Sequence, residues 1–285
     1  MSRIAYVNGR YRPHREAMVH VEDRGYQFAD GVYEVCEVRG GCLVDERRHM
    51  ARLVRSLSEL RIVLPMTLGA LGVVLRETVA RNRVREGIVY LQVTRGVARR
   101  DHAFPLTKTA PSVVVTARTL GRASRDKTAA DGIAVVTVPD TRWARPDIKS
   151  VALLPNVLAK QAARDRGARE AWFVDHDGQI TEGASSNAWI VTEGGEVVTR
   201  PVDNSILNGI SRAVVLDVIA SQGLRLAERP FTKSEALNAR EAFVTSASQT
   251  VQPVIRIDDK ILGDGRPGSV AMALRREFYS HAELT

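Results

Sequence analysis

The sequence contains only two cysteines, and aromatic residues make up 5% of its 285 residues. Cys36 and Cys42 stand on either side of the Gly40-Gly41 turn. In a two-residue hairpin at that turn, Cys42 faces Arg39 and Cys36 faces Asp45, so the thiols are not a cross-strand pair. Neither cysteine has the spacing of a metal ligand. We therefore predict two small buried hydrophobic residues and no metal site.

Long apolar runs are also absent. No stretch approaches the roughly 18 residues that a membrane-spanning helix needs. The segment Met1–Gly9 lacks the apolar centre of a secretory signal. With 44% hydrophobic and 26% charged residues, the composition is typical of a folded globular protein. These features favour a cytoplasmic protein without a membrane partner.

The charge is shifted toward cations, with a formal net value of +8. Such a balance is one mark of nucleic-acid binders. Here, however, the arginines are spread along the chain and alternate with acidic residues, as in Asp45-Glu46-Arg47-Arg48. We predict a solvated surface with a bias toward anionic small molecules and no nucleic-acid partner. A non-catalytic, basic nucleic-acid-associated protein is the alternative from a different functional class.

The order of elements predicts an α+β fold, because strands occur in hairpin-like groups that are broken by isolated helices. Residues 1–118 form a predicted small N-terminal domain, and residues 132–285 a larger C-terminal domain. The segment 119–131, rich in Gly, Ser, Arg, Lys and Ala, is the predicted linker. The side chains of Gly31–Arg39 alternate between two faces, as in a strand, and Val32, Glu34, Cys36 and Val38 share one of these faces. The apolar spacing also predicts helices over 45–61, 67–83, 156–167 and 208–222.

Lysine is scarce, which narrows the search for an amine nucleophile. The chain has six lysines, and Lys149 differs from the others because it stands just before the apolar run Val151–Leu154. An amine held against apolar surface has its charged form disfavoured, as a Schiff-base lysine requires. From its residues alone, the segment also fits a surface lysine with a buried stem.

An aldehyde cofactor with a pyridine ring and a phosphate needs an acidic partner and an anion site. Glu182 follows a strand and opens a segment of small residues. Asn208–Arg212 begins a helix, where backbone N–H groups point toward an anion. Thr245–Ser248 ends a strand in donor-rich residues, and Arg52 offers a forked donor suited to phosphate. Taken singly, these features also fit a turn carboxylate, a helix cap, a loop and a surface arginine.

Taken in order, these segments resemble the class IV (fold-type IV) aminotransferases. That family includes D-amino-acid, branched-chain and (R)-amine transaminases and aminodeoxychorismate lyase. The most specific stretch is Glu182-Gly183-Ala184-Ser185-Ser186-Asn187, followed by Leu207-Asn208-Gly209-Ile210-Ser211-Arg212. The resemblance implies a small N-terminal α/β domain and a larger C-terminal domain with a β-barrel-like sheet, with pyridoxal 5′-phosphate between them.

The resemblance also implies a role for each matching residue. Lys149 forms the Schiff base and moves the proton between substrate and cofactor, while Glu182 pairs with the pyridinium nitrogen. Leu207 packs against the ring, and the phosphate is held by Arg52, Ile210, Ser211, Ser246 and Ala247. Ala247 stands where many relatives have a threonine, so its N–H acts alone or Ser248 assists. Trp189 replaces the usual Phe or Tyr, which we interpret as a packing change.

Three further segments resemble the D-amino-acid transaminases within this family: Asp30–Val35, Tyr90–Gly96 and Arg100–Pro105. In those enzymes a tyrosine, an arginine and a histidine bind the substrate α-carboxylate, which here implies Tyr33, Arg100 and His102, with Tyr90 nearby.

The arginine and the histidine reach in from the partner subunit of a homodimer. The implied reaction transfers the amino group of a D-amino acid, such as D-alanine or D-glutamate, to a 2-oxo acid. A branched-chain L-amino-acid aminotransferase and an (R)-amine transaminase are the alternatives, and without the resemblance residues 99–102 fit a charged, solvated loop.

Overall fold

Residues 3–285 are described by a computed structural model, in which the chain divides into two units. The first unit comprises the described residues up to Arg122, together with Ile148–Ala152 and Glu283–Thr285. The second comprises Ala123–Asp147 and Leu153–Ala282. Two short segments that lie far along the chain therefore belong to the first unit.

The first unit contains one antiparallel sheet of six strands, in the order β2-β1-β6-β5-β3-β4. Its strands are β1 Ile4–Val7, β2 Arg10–Pro13, β3 Gly31–Arg39, β4 Cys42–Leu43, β5 Glu86–Thr94 and β6 Ser112–Thr119. Its helices are α1 Arg24–Phe28, α2 Glu46–Glu59 and α3 Leu68–Arg81, with a 3-10 turn at His14–Glu16. Helix α2 packs on β3, and α3 packs on β1, β5 and β6.

Strand β3 has the bounds that its alternation predicts, and Val32, Glu34, Cys36 and Val38 on its predicted inner face are all buried. Helix α3 begins after Thr67, whose hydroxyl accepts a hydrogen bond from the Ala70 N–H. Apolar side chains from α2, α3 and the sheet form one core, which includes Leu53, Leu75 and Leu91. The core holds β3 rigidly along its whole length.

The second unit contains a ten-stranded mixed sheet, curled into a half-barrel, with the order β12-β11-β10-β14-β15-β7-β8-β9-β13 and with β16 beside β15. Its strands are β7 Ile133–Pro139, β8 Glu170–Val174, β9 Gln179–Gly183, β10 Asn187–Val191, β11 Val197–Thr199, β12 Leu226–Glu228, β13 Phe231–Thr232, β14 Glu241–Ser246, β15 Thr250–Ile257 and β16 Lys260–Ile261. Its helices are α4 Arg122–Asp131, α5 Leu154–Asp165, α6 Ile210–Ser221, α7 Lys233–Leu237 and α8 Ser269–His281. Helix α5 packs on β7 and β8, while α6 and α8 pack together.

Helix α8 has no counterpart among the elements expected from the sequence. Its N-cap is Gly268, which offers no side-chain oxygen. The Glu241 carboxylate accepts hydrogen bonds from the N–H groups of Val270 and Ala271 instead. The cap is therefore supplied by a residue distant in the sequence, so no local start signal marks this helix.

The segment 119–131 contains the boundary between the units, because Arg122 is in the first unit and Ala123 in the second. Most of this predicted linker is helical, since it forms α4. Ala129 is buried, so one side of the helix packs against the second unit. The small polar residues that indicated a linker occupy the exposed side of a helix instead.

The two cysteines differ in their surroundings. Cys42 pairs with Arg39 across the hairpin, as expected, and neither thiol forms a disulfide. Cys36 is buried, but Cys42 is exposed, so the expectation of two buried cysteines is wrong for Cys42. Strand β4 has only two residues at the edge of the sheet, which leaves this side chain uncovered. Among residues 3–285, no helix has the length and apolar character to cross a membrane.

Candidate active site

The Lys149 segment lies along one edge of β3. The Tyr33 N–H donates to the Lys149 carbonyl oxygen at 2.9 Å, and the Val151 N–H donates to the Gly31 carbonyl oxygen at 3.0 Å. Strand β4 pairs only with Val38 and Arg39. The other half of this edge is therefore available for the lysine segment, which is fixed by backbone pairing.

The Lys149 amine lies over an aromatic ring. Its Nζ is 4.2 Å from the centroid of the Tyr33 ring, which is stacked on Tyr90 at 5.7 Å. The backbone N–H of Lys149 donates to the Ser56 hydroxyl at 3.3 Å. Burial raises the pKa of Tyr90 to about 12, with a contribution from Tyr33, so its phenol stays protonated and donates to Gln92. The first unit thus brings together Lys149, Tyr33 and Tyr90.

Arg52 belongs to a buried ionic group with Glu34 and His49. Its Nε and Nη2 each donate to one Glu34 carboxylate oxygen at 2.8 Å, and His49 Nδ1 lies 2.7 Å from Glu34 Oε2. Two parallel hydrogen bonds to one carboxylate fix the plane of a guanidinium group. The prediction that Arg52 binds a phosphate stays a prediction, but its orientation is set by Glu34.

The pKa values in this group follow from burial and charge. Burial alone would raise the pKa of Glu34, but the Arg52 charge and the hydrogen bonds from Arg52 and His49 outweigh it and lower the pKa to about 2. Burial lowers the pKa of His49, against the opposing effect of Glu34. His49 is therefore neutral at pH 7 and donates through Nδ1–H to an ionised Glu34. Sequence reasoning assigned no role to Glu34 or His49, although a carboxylate on the buried face of β3 was a usable signal.

In the second unit, Glu182 at the end of β9 is buried and held by several donors. The Arg142 guanidinium donates to Oε1, the Asn187 amide donates to Oε2 at 3.1 Å, and the Leu207 N–H lies 3.2 Å from either oxygen. These donors all stabilise the ionised form of a carboxylate. Arg142 was not among the residues expected in the site.

Asn187 connects Glu182 to the start of α6. Its amide also donates to the Leu207 carbonyl oxygen at 2.9 Å, and its Oδ1 packs against Gly209, the N-cap of α6. A Cβ on Gly209 would collide with that oxygen, so any larger residue would displace the Asn187 side chain. Ile210 and Ser211 follow in the first turn of α6, where backbone N–H groups at a helix start suit an anion, and the Ser211 side chain is buried.

The end of β14 lies next to Asn187, because Asn187 pairs with Thr245 across β10 and β14. Ser246 and Ala247 follow at the turn, and the Ser246 hydroxyl lies 3.5 Å from the Ser248 hydroxyl. The second unit therefore brings the predicted residues Glu182, Leu207, Ile210, Ser211, Ser246 and Ala247 to one region. Whether Ser248 compensates for Ala247 stays a prediction.

Trp189 is more than a larger packing residue. Its side chain is buried and stacked on Phe243, with ring centroids 5.3 Å apart. Its indole N–H donates to the Thr245 hydroxyl at 3.0 Å, one residue before Ser246. The indole therefore holds the end of β14 by a hydrogen bond that Phe cannot form.

Arg100 and His102 lie on an exposed loop of the first unit, and both contact the Phe28 ring. The Arg100 guanidinium carbon is 5.0 Å from the ring centroid, and the His102 and Phe28 ring centroids are 5.4 Å apart. Both residues therefore contact the same ring, and their role in binding the substrate carboxylate stays a prediction.

Comparison with known proteins identifies the family. The family model of amino-transferase class IV matches residues 31–257. The chain therefore belongs to the class IV aminotransferases, and the prediction of that family is confirmed. The alternative of a non-catalytic basic protein is set aside, because this is an enzyme family.

Two similar relatives are named D-alanine aminotransferase. The chain is 40% identical to the one from Staphylococcus haemolyticus over 279 residues, covering 98% of this chain and 97% of the relative. It is 42% identical to the one from Bacillus licheniformis over 282 residues, covering 98% of each. The prediction of an aminotransferase with the D-amino-acid type of sequence is confirmed.

Solved structures agree on the fold. The branched-chain amino acid aminotransferase of Escherichia coli has a TM-score of 0.89 at 22% identity, covering 98% of this chain and 94% of the other. The branched-chain aminotransferase of Thermoproteus uzoniensis, solved with norvaline, has a TM-score of 0.85 at 23% identity, covering 100% of this chain and 99% of the other. The predicted fold-type IV architecture is therefore confirmed. Class IV aminotransferases depend on pyridoxal 5′-phosphate, so the predicted cofactor is confirmed with the family.

Proposed function

We propose that the chain transfers the amino group of a D-amino acid to a 2-oxo acid, with pyridoxal 5′-phosphate as cofactor and Lys149 as its attachment point. The observation that carries the proposal is the Lys149 amine over the Tyr33 ring, in a segment paired to β3. Full-length relatives named D-alanine aminotransferase support the D-configuration of the substrate.

The residues present fit this cofactor. Lys149 provides an amine on an ordered segment, and Glu182 provides a buried carboxylate whose donors keep it ionised. The first turn of α6 and the end of β14 provide backbone N–H groups and serine hydroxyls for a phosphate. When bound, pyridoxal 5′-phosphate supplies an aldehyde carbon and a ring that accepts electrons.

Lys149 has two tasks in this reaction. Its amine first holds the cofactor and is then displaced by the substrate amine. As a free base it would take the proton from the substrate Cα and deliver it at C4′ of the cofactor. The amino group would stay on the cofactor when hydrolysis releases the 2-oxo acid, until the acceptor 2-oxo acid takes that group up. The main chain of Lys149 is fixed by pairing with β3, while the flexible stem would let Nζ carry the proton from one position to the other.

Glu182 acts at the ring nitrogen. As an ionised carboxylate it accepts the hydrogen bond of the pyridinium N–H and so favours the protonated ring. Arg142 keeps Glu182 ionised and oriented through a direct contact. Leu207 packs against the ring, and the proposed phosphate contacts are Arg52, Ile210, Ser211, Ser246 and Ala247.

The substrate carboxylate is bound by Tyr33, Arg100 and His102, with Tyr90 supporting Tyr33. Arginine offers two parallel charge-assisted hydrogen bonds to a carboxylate, and the tyrosine and histidine fix its orientation. Arg100 and His102 act on the site of a partner subunit, so the working unit is a homodimer. The substrates are a D-amino acid, such as D-alanine or D-glutamate, and an acceptor such as 2-oxoglutarate or pyruvate. The cytoplasmic location stays a prediction.

One paired assay tests the activity. Purified protein with pyridoxal 5′-phosphate is incubated with 2-oxoglutarate and either D-alanine or L-leucine, and the 2-oxo acid formed is measured. We expect product from D-alanine, whereas a strict preference for L-leucine would favour the branched-chain alternative. Product from an (R)-amine without a carboxylate at the same rate would favour the amine transaminase.

A second measurement tests the attachment point. We expect the wild-type protein to show the visible absorption band of the bound cofactor and Lys149→Ala to lose it. The control is Lys260→Ala, at an exposed position of β16 where Lys260 donates to Asn238. A band that survives in Lys149→Ala would place the attachment elsewhere.

A further inference from the structure

The loop that carries Arg100 and His102 is anchored at its base. We call residues 97–111 the trap loop. Val97 forms an antiparallel bridge with Asp23, and the Ala98 N–H donates to the Glu22 carbonyl oxygen at 3.3 Å. The Arg24 N–H donates to the Gly96 carbonyl oxygen at 2.9 Å. The first residues of the loop are therefore docked on the segment that precedes α1.

Arg24 reaches from α1 to the part of the loop that carries the trap. Its side chain is only 3% exposed. Nη1 donates to the Asp101 carbonyl oxygen at 2.6 Å, and Nη2 lies 3.5 Å from the His102 carbonyl oxygen. A buried guanidinium thus holds the main chain at two consecutive loop residues.

A single carboxylate orients Arg24. Its Nε donates to Asp30 Oδ2 at 2.8 Å, and Asp30 also accepts from Arg95 Nε at 2.7 Å and Nη2 at 2.9 Å. The Arg95 guanidinium carbon lies 3.8 Å from the centroid of the Phe104 ring, also in the trap loop. Asp30 therefore joins two arginines that each contact the loop.

The Phe28 ring contacts Arg24 as well as Arg100 and His102, the two expected trap residues. The guanidinium carbon of Arg24 is 4.8 Å from its centroid, and that of Arg100 is 5.0 Å away. His102 packs on the same ring. Attraction between cations and an aromatic face favours this arrangement.

We propose that Arg24, clamped by Asp30 and packed on Phe28, is a positioning residue that holds the trap loop in the conformation that binds the substrate carboxylate. The inference rests on the proposed function, and it adds residues that touch neither substrate nor cofactor. A loop that is ordered before binding does not lose conformational entropy when the substrate arrives. Arg24 therefore contributes to substrate affinity by ordering Arg100 and His102 in advance.

The test replaces Arg24 with methionine, which keeps the apolar stem and removes the forked donor. Asp30 retains both hydrogen bonds from Arg95, so no buried charge is left without a partner. We expect the KM for D-alanine to rise about tenfold, as loss of charge-assisted hydrogen bonds predicts. We expect kcat at saturation and the absorption band of the bound cofactor to stay as in the wild type.

Arg81→Met is the matched control. Arg81 also lies over an aromatic ring, that of Tyr11 at 4.3 Å, and pairs with Glu77, but it is on α3. Its KM should equal that of the wild type. An unchanged KM in Arg24→Met, or loss of its cofactor band, would overturn the proposal, because the second result indicates a general role in folding.

A double-mutant cycle separates positioning from independent effects. In an Arg100→Ala background, adding Arg24→Met should raise the KM by clearly less than the roughly tenfold expected in the wild-type background, because only His102 is left to be positioned. Fully additive effects would overturn the proposal. If Arg24→Met does not fold, Phe28→Leu replaces it, with the same expected rise in KM and the same reading of an unchanged KM.

Failure of the inference is distinguishable from failure of the proposed function. If the wild type forms no product from D-alanine, the proposed function fails. If the wild type is active and Arg100→Ala raises the KM, but Arg24→Met does not, only the positioning role fails.

Discussion

Arg142 forms a bidentate ion pair with Asp140: its Nε donates to one carboxylate oxygen at 2.9 Å, and its Nη2 donates to the other at 2.7 Å. The remaining guanidinium nitrogen of Arg142, Nη1, contacts the Glu182 carboxylate. The pKa of Asp140 is lowered, since the Arg142 hydrogen bonds and charge outweigh the effect of burial. One buried guanidinium thus lies between two carboxylates, and it fixes the position of Glu182, the one that faces the ring nitrogen in the proposed reaction.

Replacing Arg142 with methionine should impair both stability and catalysis. The variant leaves the buried Glu182 carboxylate and the half-buried Asp140 carboxylate without their cation, which costs about 3 kcal/mol of unfolding free energy. We expect kcat to fall at least about tenfold, because Glu182 no longer has a fixed charge and orientation. Urea unfolding and D-alanine turnover measure the two effects.

The control for this variant is Arg145→Met. Arg145 also donates a fork to a nearby aspartate, Asp147, at 2.8 and 2.9 Å, but its side chain is 36% exposed. Its loss removes a partner of the buried Asp147 carboxylate, so this variant also loses stability, but its kcat should stay as in the wild type. Equal losses of kcat in the two variants would contradict a specific role for Arg142.

Glu34 should make the protein acid-sensitive in a defined range. Its folded-state pKa of about 2 lies below the unfolded value, so its contribution is present above the unfolded pKa and lost as the pH falls toward the folded one. Between about pH 5 and pH 2, the wild type should lose on the order of 3 kcal/mol from this group. Glu34→Gln should be less stable at pH 7 and show a flatter decline.

Urea unfolding at a series of pH values measures the slope. Glu77→Gln, which removes an exposed partner of Arg81 on α3, is the control and should keep the wild-type slope. If Glu34→Gln and the wild type lose stability in parallel over this range, the buried ion pair is not the cause.

Gly209→Ala should weaken cofactor binding. The added methyl group would displace the Asn187 side chain, which holds both Glu182 and Leu207. We expect the dissociation constant for pyridoxal 5′-phosphate to rise about tenfold, since several contacts shift together. Gly69→Ala on α3 has open space around the new methyl group and should bind the cofactor normally. Equal affinities in both variants would refute this explanation.

Trp189→Phe should loosen the end of β14. It removes the donor to the buried Thr245 hydroxyl, which costs about 1–3 kcal/mol of stability. Cofactor release, followed by absorbance after dilution, should be faster than in the wild type. Thr245→Val in the Trp189→Phe background should add little, because the hydrogen bond is already lost. A full additive cost would show that the indole acts through packing alone.

The sequence predicts those elements whose signals are local. Strand β3 has the bounds that its alternation indicates, and α3 begins after the expected Thr67 cap. Helix α8 was not predicted from the sequence, because its N-terminal cap is the carboxylate of Glu241 on another strand. The helix within residues 119–131 was not predicted either, because small polar residues on its exposed surface give the segment the composition of a linker.

The candidate site divides in the same way. Lys149 and Glu182 stand in sequence segments that resemble family motifs. In the structure, Lys149 contacts Tyr33, and Glu182 accepts a hydrogen bond from Asn187. Arg142 and Arg24 gave no comparable signal, since arginines occur throughout this basic chain. Their importance depends on which carboxylates and carbonyl groups fold around them, which spacing alone does not encode.

The return of residues 283–285 to the first unit has a practical consequence for dissecting the protein. The Leu43 N–H donates to the Thr285 carbonyl oxygen, and the Thr285 N–H donates to that of Leu43, so this tripeptide extends the six-stranded sheet from a distant part of the chain. Ile148–Ala152 enters the same unit from the middle. A protein that ends at Arg122 would therefore lack two edge segments of this sheet, and Lys149 with them. Chimeras and split versions must exchange all three pieces together.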